Sequence, residues 1–400
     1  MDINTMSRSG TFGSYLTRND ISRRSFLKIC STFASLLALP SDALPALSEK
    51  LRQATRPSVI WLSFQECTGC TESLTRSHAP TIEDLIFNFI SLDYHHTLQA
   101  AAGEAAEAAR LTTMKQFFGQ YLLIVDGSIP IGNGGVYSTI AGKTNLEILK
   151  ECTVGAKAVI ALGSCAAFGG LPAASPNPTG ATDVATLMNN GLIAKKTLVN
   201  LPGCPPLPIA ISSVLAHFLA FDRFPALDDL NRPLSFYGNT VHERCSRYHF
   251  YQQEKFVERF DDEGAQKGWC LYKLGCKGPT TYNACSVYKW NQQTSSPIDS
   301  GHPCLGCSEP GFWDLGGFYR SLDDVAVSGQ RGNNKADTEE GQLLYEDNCV
   351  YCHSIDPSKF ATEADKISEL LRSGNIRSHR RLEFTDDQLN ILDKYLKSIK

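Results

Sequence analysis

The sequence contains no apolar run of the roughly 20 residues needed to cross a bilayer, so no transmembrane anchor of its own is expected. It also lacks a basic excess. With a formal net charge of −4 there is no electrostatic footprint for a phosphate backbone, which excludes nucleic acid as a partner. Internal repeats are missing. Methionine is scarce: Met1, Met6, Met114 and Met188 are the whole complement, so nothing beyond Met188 can offer a thioether ligand. What is present is ordinary globular material, 400 residues at 42% hydrophobic and 20% charged, enough for two or three domains.

Cysteine is the exception. There are 14, and all but Cys30 and Cys152 fall at Cys67 and Cys70 or between Cys165 and Cys352. A disulfide framework is one reading. Against it, Cys67/Cys70, Cys304/Cys307 and Cys349/Cys352 are separated by only two residues, the spacing of metal ligands or haem attachment. Cys152 matches no ligand pattern and reads as a buried, inert thiol.

Near the N-terminus, Ser22-Arg23-Arg24-Ser25-Phe26-Leu27-Lys28 precedes a short apolar run, Ile29 to Leu39, and then small residues. This is the pattern of a twin-arginine export signal, with cleavage after Ala43 or Ser48. The expected location is the periplasm, and Cys30 inside the signal is expected to have no role. The route carries proteins that have already folded, which suits metal clusters built before export.

From 56 to 222, strand-like runs alternate with helical stretches: Val59 to Phe64, Tyr121 to Val125, Ala158 to Leu162 and Thr197 to Leu201. The alternation predicts a parallel α/β sheet. Each run ends in a loop with glycine, proline or cysteine, and such loops converge on one sheet edge. Residues 223–327 lose the periodicity and read as an irregular domain held together by metal ligation. A polar linker, 328–340, leads to residues 341–400, with helical patterns at Ala364 to Arg372 and Thr385 to Ile399.

Four thiols at one sheet edge, Cys67, Cys70, Cys165 and Cys204, suit a 4Fe-4S cluster or a tetrahedral zinc. His242, Cys245, Cys270 and Cys276 leave the same two choices. Cys285, Cys304 and Cys307 are only three, fewer than a closed zinc site takes and right for a cluster lacking one iron, which tilts all three sets towards iron–sulfur.

Residues from about Val59 to Leu315 resemble the small subunit of nickel-iron hydrogenases. The resemblance rests on Glu66-Cys67-Thr68-Gly69-Cys70-Thr71-Glu72-Ser73, Asp126-Gly127-Ser128-Ile129-Pro130, Gly163-Ser164-Cys165, Leu201-Pro202-Gly203-Cys204-Pro205-Pro206, Cys270 to Pro279, and Gly301-His302-Pro303-Cys304-Leu305-Gly306-Cys307-Ser308-Glu309-Pro310. It implies a flavodoxin-like domain with a proximal 4Fe-4S cluster on Cys67, Cys70, Cys165 and Cys204. It further implies a distal 4Fe-4S cluster on His242, Cys245, Cys270 and Cys276, and a medial 3Fe-4S cluster on Cys285, Cys304 and Cys307, with Pro297 near the place of the missing ligand. No catalytic residue is expected in this chain, because the family's nickel-iron site lies on the large subunit. Oxygen-tolerant members carry two additional proximal cysteines, and the matching positions here are Gly69 and Gly170.

The tail contains Cys349-Val350-Tyr351-Cys352-His353, the attachment signature of haem c, with His353 as axial ligand. Zinc binding is the alternative. The flanking amphipathic helices resemble a small all-α class I cytochrome c. With methionine excluded, His379, the only other histidine after His353, is the expected second axial ligand.

The expected function is hydrogen oxidation outside the cytoplasm in a heterodimer with the large subunit, electrons passing through three clusters and the haem to a cytochrome acceptor. The alternatives are a non-catalytic electron carrier or hydrogen-sensing subunit, and the related quinone-reductase subunit, which would lack the signal and the second and third cysteine sets.

Overall fold

The computed structural model describes residues 23–36, 42–53, 56–322 apart from 79 and 315–317, and residues 388, 389, 391, 392 and 395. Cys349, Cys352, His353 and His379 therefore lie outside the described residues, as do the linker and the Ala364 to Arg372 pattern. The chain divides into a unit ending at Arg320 and a second running from Ser321 to Lys400. In the second, the described residues from 388 onward are helical, and Leu389, Leu392 and Tyr395 are buried. That spacing puts one apolar face inward, as expected for Thr385 to Ile399.

A five-stranded parallel sheet organises the first unit: β1 Ser58–Ser63, β2 Ser91–Tyr94, β3 Leu122–Asp126, β4 Ala158–Leu162 and β5 Thr197–Leu201. The spatial order is β2-β1-β3-β4-β5, the order of flavodoxin-like sheets. β1, β3 and β4 read as continuous apolar runs because both their faces are covered. Alternate residues go to opposite layers. Val59, Trp61, Leu122, Ile124 and Ile160 face one helical layer, and Ile60, Leu62, Leu123, Val125 and Val159 the other.

Among the helices that frame the sheet and its loops are α1 Arg23–Leu36, α2 Ala43–Gln53, α3 Gly69–Thr75, α4 Gly103–Gln116, α5 Asn145–Gly155, α6 Gly163–Phe168 and α7 Pro208–Phe221. α7 is apolar all round, and it is buried on nearly every side by the sheet and by α1 and α2. A Thr144–Glu147 capping box starts α5. β2 escapes the sequence pattern because it is a short edge strand, Ser-Leu-Asp-Tyr, that is only half-buried.

Two features of the fold go beyond the sequence pattern. Phe26, Cys30 and Ala34 of α1, where the sequence reading expects an export signal, are buried in the core that contains Leu47, Leu51 and α7, so Cys30 packs within that core. Residues 223–320 are part of the same compact unit as the sheet. Their own small core, Val241, Val257, Leu271, Leu274 and Ile298, includes the thiol-bearing Cys276 and Cys304.

His95, fully buried, follows β2 directly. Its Nδ1 accepts the backbone N–H groups of Thr97 and Leu98 at 3.0 and 3.2 Å, which places the ring proton on Nε2, 3.4 Å from Thr71 Oγ1. Burial, with His96 beside it, holds its pKa down to about 4. The folded state therefore binds fewer protons than the unfolded chain between the ordinary value of 6.5 and about 4. Stability present above that window should be lost as pH falls through it, by at most about 1.4 kcal/mol per pH unit for one proton. Urea midpoints measured near pH 7 and near pH 5 should show this slope, and His95→Asn should flatten it.

Candidate metal centres

Strand-end loops bring the first set of thiols to the carboxyl edge of the sheet. Cys67 follows β1, Cys70 is the second residue of α3, Cys165 lies in the first turn of α6 after β4, and Cys204 follows β5. Between the first two, Thr68 adopts a left-handed conformation, φ 67°. Glycines leave room for the sulfurs: a Cβ on Gly163 would lie 2.4 Å from Cys70 Sγ, one on Gly170 2.5 Å from Cys165 Sγ, and one on Gly69 3.1 Å from Cys67 Sγ.

Burial pushes the Cys70 thiol well above its ordinary range, reinforced by Asp126 and then by Cys165 and Cys204. It pushes Cys165 up to about 12, with Cys204, Asp126 and Cys67 adding to the effect, and Cys204 to about 11, with Cys307 and Cys67 contributing. Thiols raised in this way, Cys70, Cys165 and Cys204, need positive charge before they can ionise together. Asp126 ends β3, fully buried. Its own burial, with Glu66 nearby, raises it to about 7.

The second set lines one small cavity, where His242, Cys245, Cys270 and Cys276 meet Val241, Leu271, Tyr272 and Ile298. Burial holds His242 below its usual value, favouring the neutral imidazole that a metal requires. It raises Cys270 to about 11, and Cys276 and Cys245 act in the same direction. His242 stacks edge-on against Tyr251 and Tyr248, with ring centroids 4.5 and 5.0 Å away.

The third set borders a larger cavity of about 640 Å³, lined by Cys285, Cys304 and Cys307 together with Pro297 and Ile298. Burial takes Cys285 to about 12. Cys204 of the first set lines the same cavity, and Cys276 of the second acts on both Cys285 and Cys304. The third set thus sits between the other two. Among the described residues no three such side chains close on the position of one ion; the donors surround volumes instead. Four cysteines, three cysteines with one imidazole, and three cysteines beside a proline are donor sets that fit iron–sulfur clusters.

Several contributors are invisible in the sequence pattern. The Ser164 hydroxyl donates to the Cys307 carbonyl and accepts from Gly203 N at 2.9 Å, tying three cysteine loops together. Ser73 Oγ donates to Pro206 O at 2.5 Å, joining α3 to the Cys204 loop. Asp126 and Ser164 stand inside the sequence motifs, yet only the folded chain shows what they face. Glu72 is an exposed partner of Arg76. Glu309 pairs with Arg232 at 2.9 Å and accepts Tyr282 N at 2.6 Å. Cys152 belongs to no set: it is buried, receives Arg110 Nη1 at 3.4 Å, and burial lifts it to about 11.

Residues 237–319 match the family described as the C-terminal region of the NiFe/NiFeSe hydrogenase small subunit, and residues 67–218 match NADH ubiquinone oxidoreductase, 20 Kd subunit. The uptake hydrogenase small subunit of Azotobacter vinelandii is 45% identical over 82% of this chain and 90% of its own length. The hydrogenase-1 small chain of Escherichia coli K12 is 44% identical over 83% of this chain and 88% of its own. Among solved structures, the Ni-Fe-Se hydrogenase of Desulfomicrobium baculatum superposes with a TM-score of 0.62 at 35% identity, covering 67% of this chain and 100% of that one. The match to the cysteine-rich half separates this chain from the quinone-reductase relatives that share the sheet, and with such identity along most of its length the chain belongs to the nickel-iron hydrogenase small-subunit family.

Proposed function

We propose that this chain is the electron-transfer subunit of a periplasmic uptake hydrogenase, exported by the twin-arginine route in a heterodimer with a nickel-bearing large subunit. The observation that carries the proposal is the proximity of the three cysteine sets: Cys204 of the first lines the cavity of the third, and Cys276 of the second acts electrostatically on Cys304. Cys67, Cys70, Cys165 and Cys204 would hold a proximal 4Fe-4S cluster, and Cys285, Cys304 and Cys307 a medial 3Fe-4S cluster. His242, Cys245, Cys270 and Cys276 would hold a distal 4Fe-4S cluster. Cys349 and Cys352 would attach haem c, with His353 and His379 as axial ligands. When bound, these groups supply one-electron carriers between the large subunit and a cytochrome acceptor.

The chain's own contribution is to hold the donors and keep water away. Burial raises the Cys70, Cys165, Cys204, Cys270 and Cys285 thiols, so each of these must give up its proton as iron is loaded. Ser164 and Ser73 fix the loops that present them. Pro297, whose carbonyl accepts His302 N at 2.8 Å, lies on the medial cavity where a fourth thiolate would stand. Pro297→Cys should therefore convert the medial site to a four-iron cluster, seen as loss of the oxidised 3Fe-4S paramagnetic signal. Persistence of that signal at full intensity would contradict the assignment.

The experiment that tests the function is co-purification followed by metal analysis and hydrogen-dependent dye reduction. The complex should carry nickel with iron for three clusters and one haem, and should reduce dye. The isolated chain should not; reduction by this chain alone would overturn the proposal, as would a native complex without nickel.

A further inference from the structure

Two side-chain donors beside the medial site are buried without an acceptor. Ser286 follows Cys285 in the short helix Cys285–Tyr288, and Trp290 lies just beyond the end of that helix. Both residues line the cavity that Cys285, Cys304 and Cys307 border. The Ser286 Oγ and the Trp290 Nε1 are shut off from solvent, and neither has a hydrogen-bond partner among the described residues. The backbone around them is fixed. Trp290 N donates to Ser295 O at 2.8 Å, and its carbonyl accepts Thr294 N at 3.1 Å and Ser295 N at 3.3 Å, closing a turn that leads straight to Pro297. On the other side, burial raises the Cys285 thiol, while the backbone N–H groups of Cys285 and Ser286 bear on its sulfur and oppose the rise.

A buried donor left unpaired is costly, so each of these two calls for an acceptor. The indole N–H can only donate, and the hydroxyl has one proton to give. What the site gathers is sulfur: three thiolates, and the sulfides of any cluster they hold. We propose that Ser286 and Trp290 donate hydrogen bonds to sulfurs of the medial site and so raise the reduction potential of the cluster there. The inference rests on the reading that Cys285, Cys304 and Cys307 ligate iron. One-electron reduction adds one negative charge, part of which falls on the sulfurs, and a donor held against them favours the reduced state; hydrogen bonds to sulfur are among the terms that set a cluster's potential. Neither residue borders the distal cavity, so the effect is local. Both are positioning residues for the donor groups and hold no iron.

The test is a redox titration of the purified heterodimer followed by paramagnetic resonance, which separates the medial 3Fe-4S signal from the reduced 4Fe-4S signals. Ser286→Ala and Trp290→Phe, which keeps an aromatic ring without the N–H, should each make the medial cluster harder to reduce. In the double variant the reduced-to-oxidised ratio at a fixed potential should fall about tenfold, equivalent to ~59 mV for a one-electron couple, with the distal cluster unmoved. Ser286→Thr retains the hydroxyl and should hold the wild-type ratio. A second reading needs no variant to load iron: after complete exchange into heavy water, the oxidised medial signal of the wild-type complex should lose proton couplings. An unchanged medial potential in the double variant would overturn the proposal. So would an equal shift of all three clusters, which would mark a general loosening, or a wild-type signal without exchangeable couplings. Absence of any 3Fe-4S signal in the wild-type complex would instead defeat the functional reading itself.

Discussion

Gly163→Ala should leave the sheet folded but strip the proximal site and reduce hydrogen-dependent activity to background. Gly163 opens α6 with φ +79°, and a methyl there would stand 2.4 Å from Cys70 Sγ, far inside contact distance. The sulfur and the methyl cannot both keep their places, and Cys70 is the side chain that can swing away. A control separates this clash from backbone strain. Gly142 has the same φ of +79° with nothing within 4 Å of its would-be Cβ, so Gly142→Ala should lose only the ~1–2 kcal/mol of a left-handed alanine. Iron analysis should find about four fewer atoms per heterodimer in the first variant and none missing in the second. Full iron in Gly163→Ala would mean that Cys70 is not a ligand.

Exposure to air should inactivate the enzyme. With glycine at 69 and 170, a proximal cluster on Cys67, Cys70, Cys165 and Cys204 would have only those four thiols, which suits an ordinary cube with one accessible redox step. The structure adds a second expectation. Gly170 has φ +62°, and its would-be Cβ is 2.5 Å from Cys165 Sγ and 2.7 Å from Cys165 Cα, so a cysteine cannot simply be added there. Gly69 is easier, its would-be Cβ 3.1 Å from Cys67 Sγ. Gly69→Cys should be loaded and still air-sensitive, whereas Gly69→Cys with Gly170→Cys should lose iron unless the Cys165 loop is rebuilt. Sustained hydrogen oxidation under air by the unmodified complex would contradict the first expectation; normal iron in the double variant would contradict the second.

The parts legible in the sequence were those encoded locally. β1, β3 and β4 announce themselves because a strand buried on both faces has to be largely apolar, and β5 does so through Leu198, Val199 and Leu201. β2 does not, since an edge strand with Asp93 and a serine carries little pattern. The cysteine sets are visible through short spacings and motif order, although four of them meet only because a parallel sheet gathers its strand ends. What remained hidden depends on contacts between distant segments: Ser164 holding the Cys307 carbonyl, Asp126 facing Cys70, and Lys277 joining two cysteine loops. The packing of Cys30 was hidden for another reason. A signal segment reads as separable, and its composition does not say whether it also fits a protein core.

That packing has a consequence for the order in which the newborn chain can mature. α1 emerges from the ribosome first, but the surface on which Phe26, Cys30 and Ala34 rest includes α7, which is translated after Cys204. α1 must therefore stay uncovered while the sheet is being made, and it can be enclosed only once Cys67, Cys70, Cys165 and Cys204 have left the exit tunnel. Its protection from protease would thus report, during translation, that the peptide framework of the proximal site is complete, before Cys285, Cys304 and Cys307 have been synthesised.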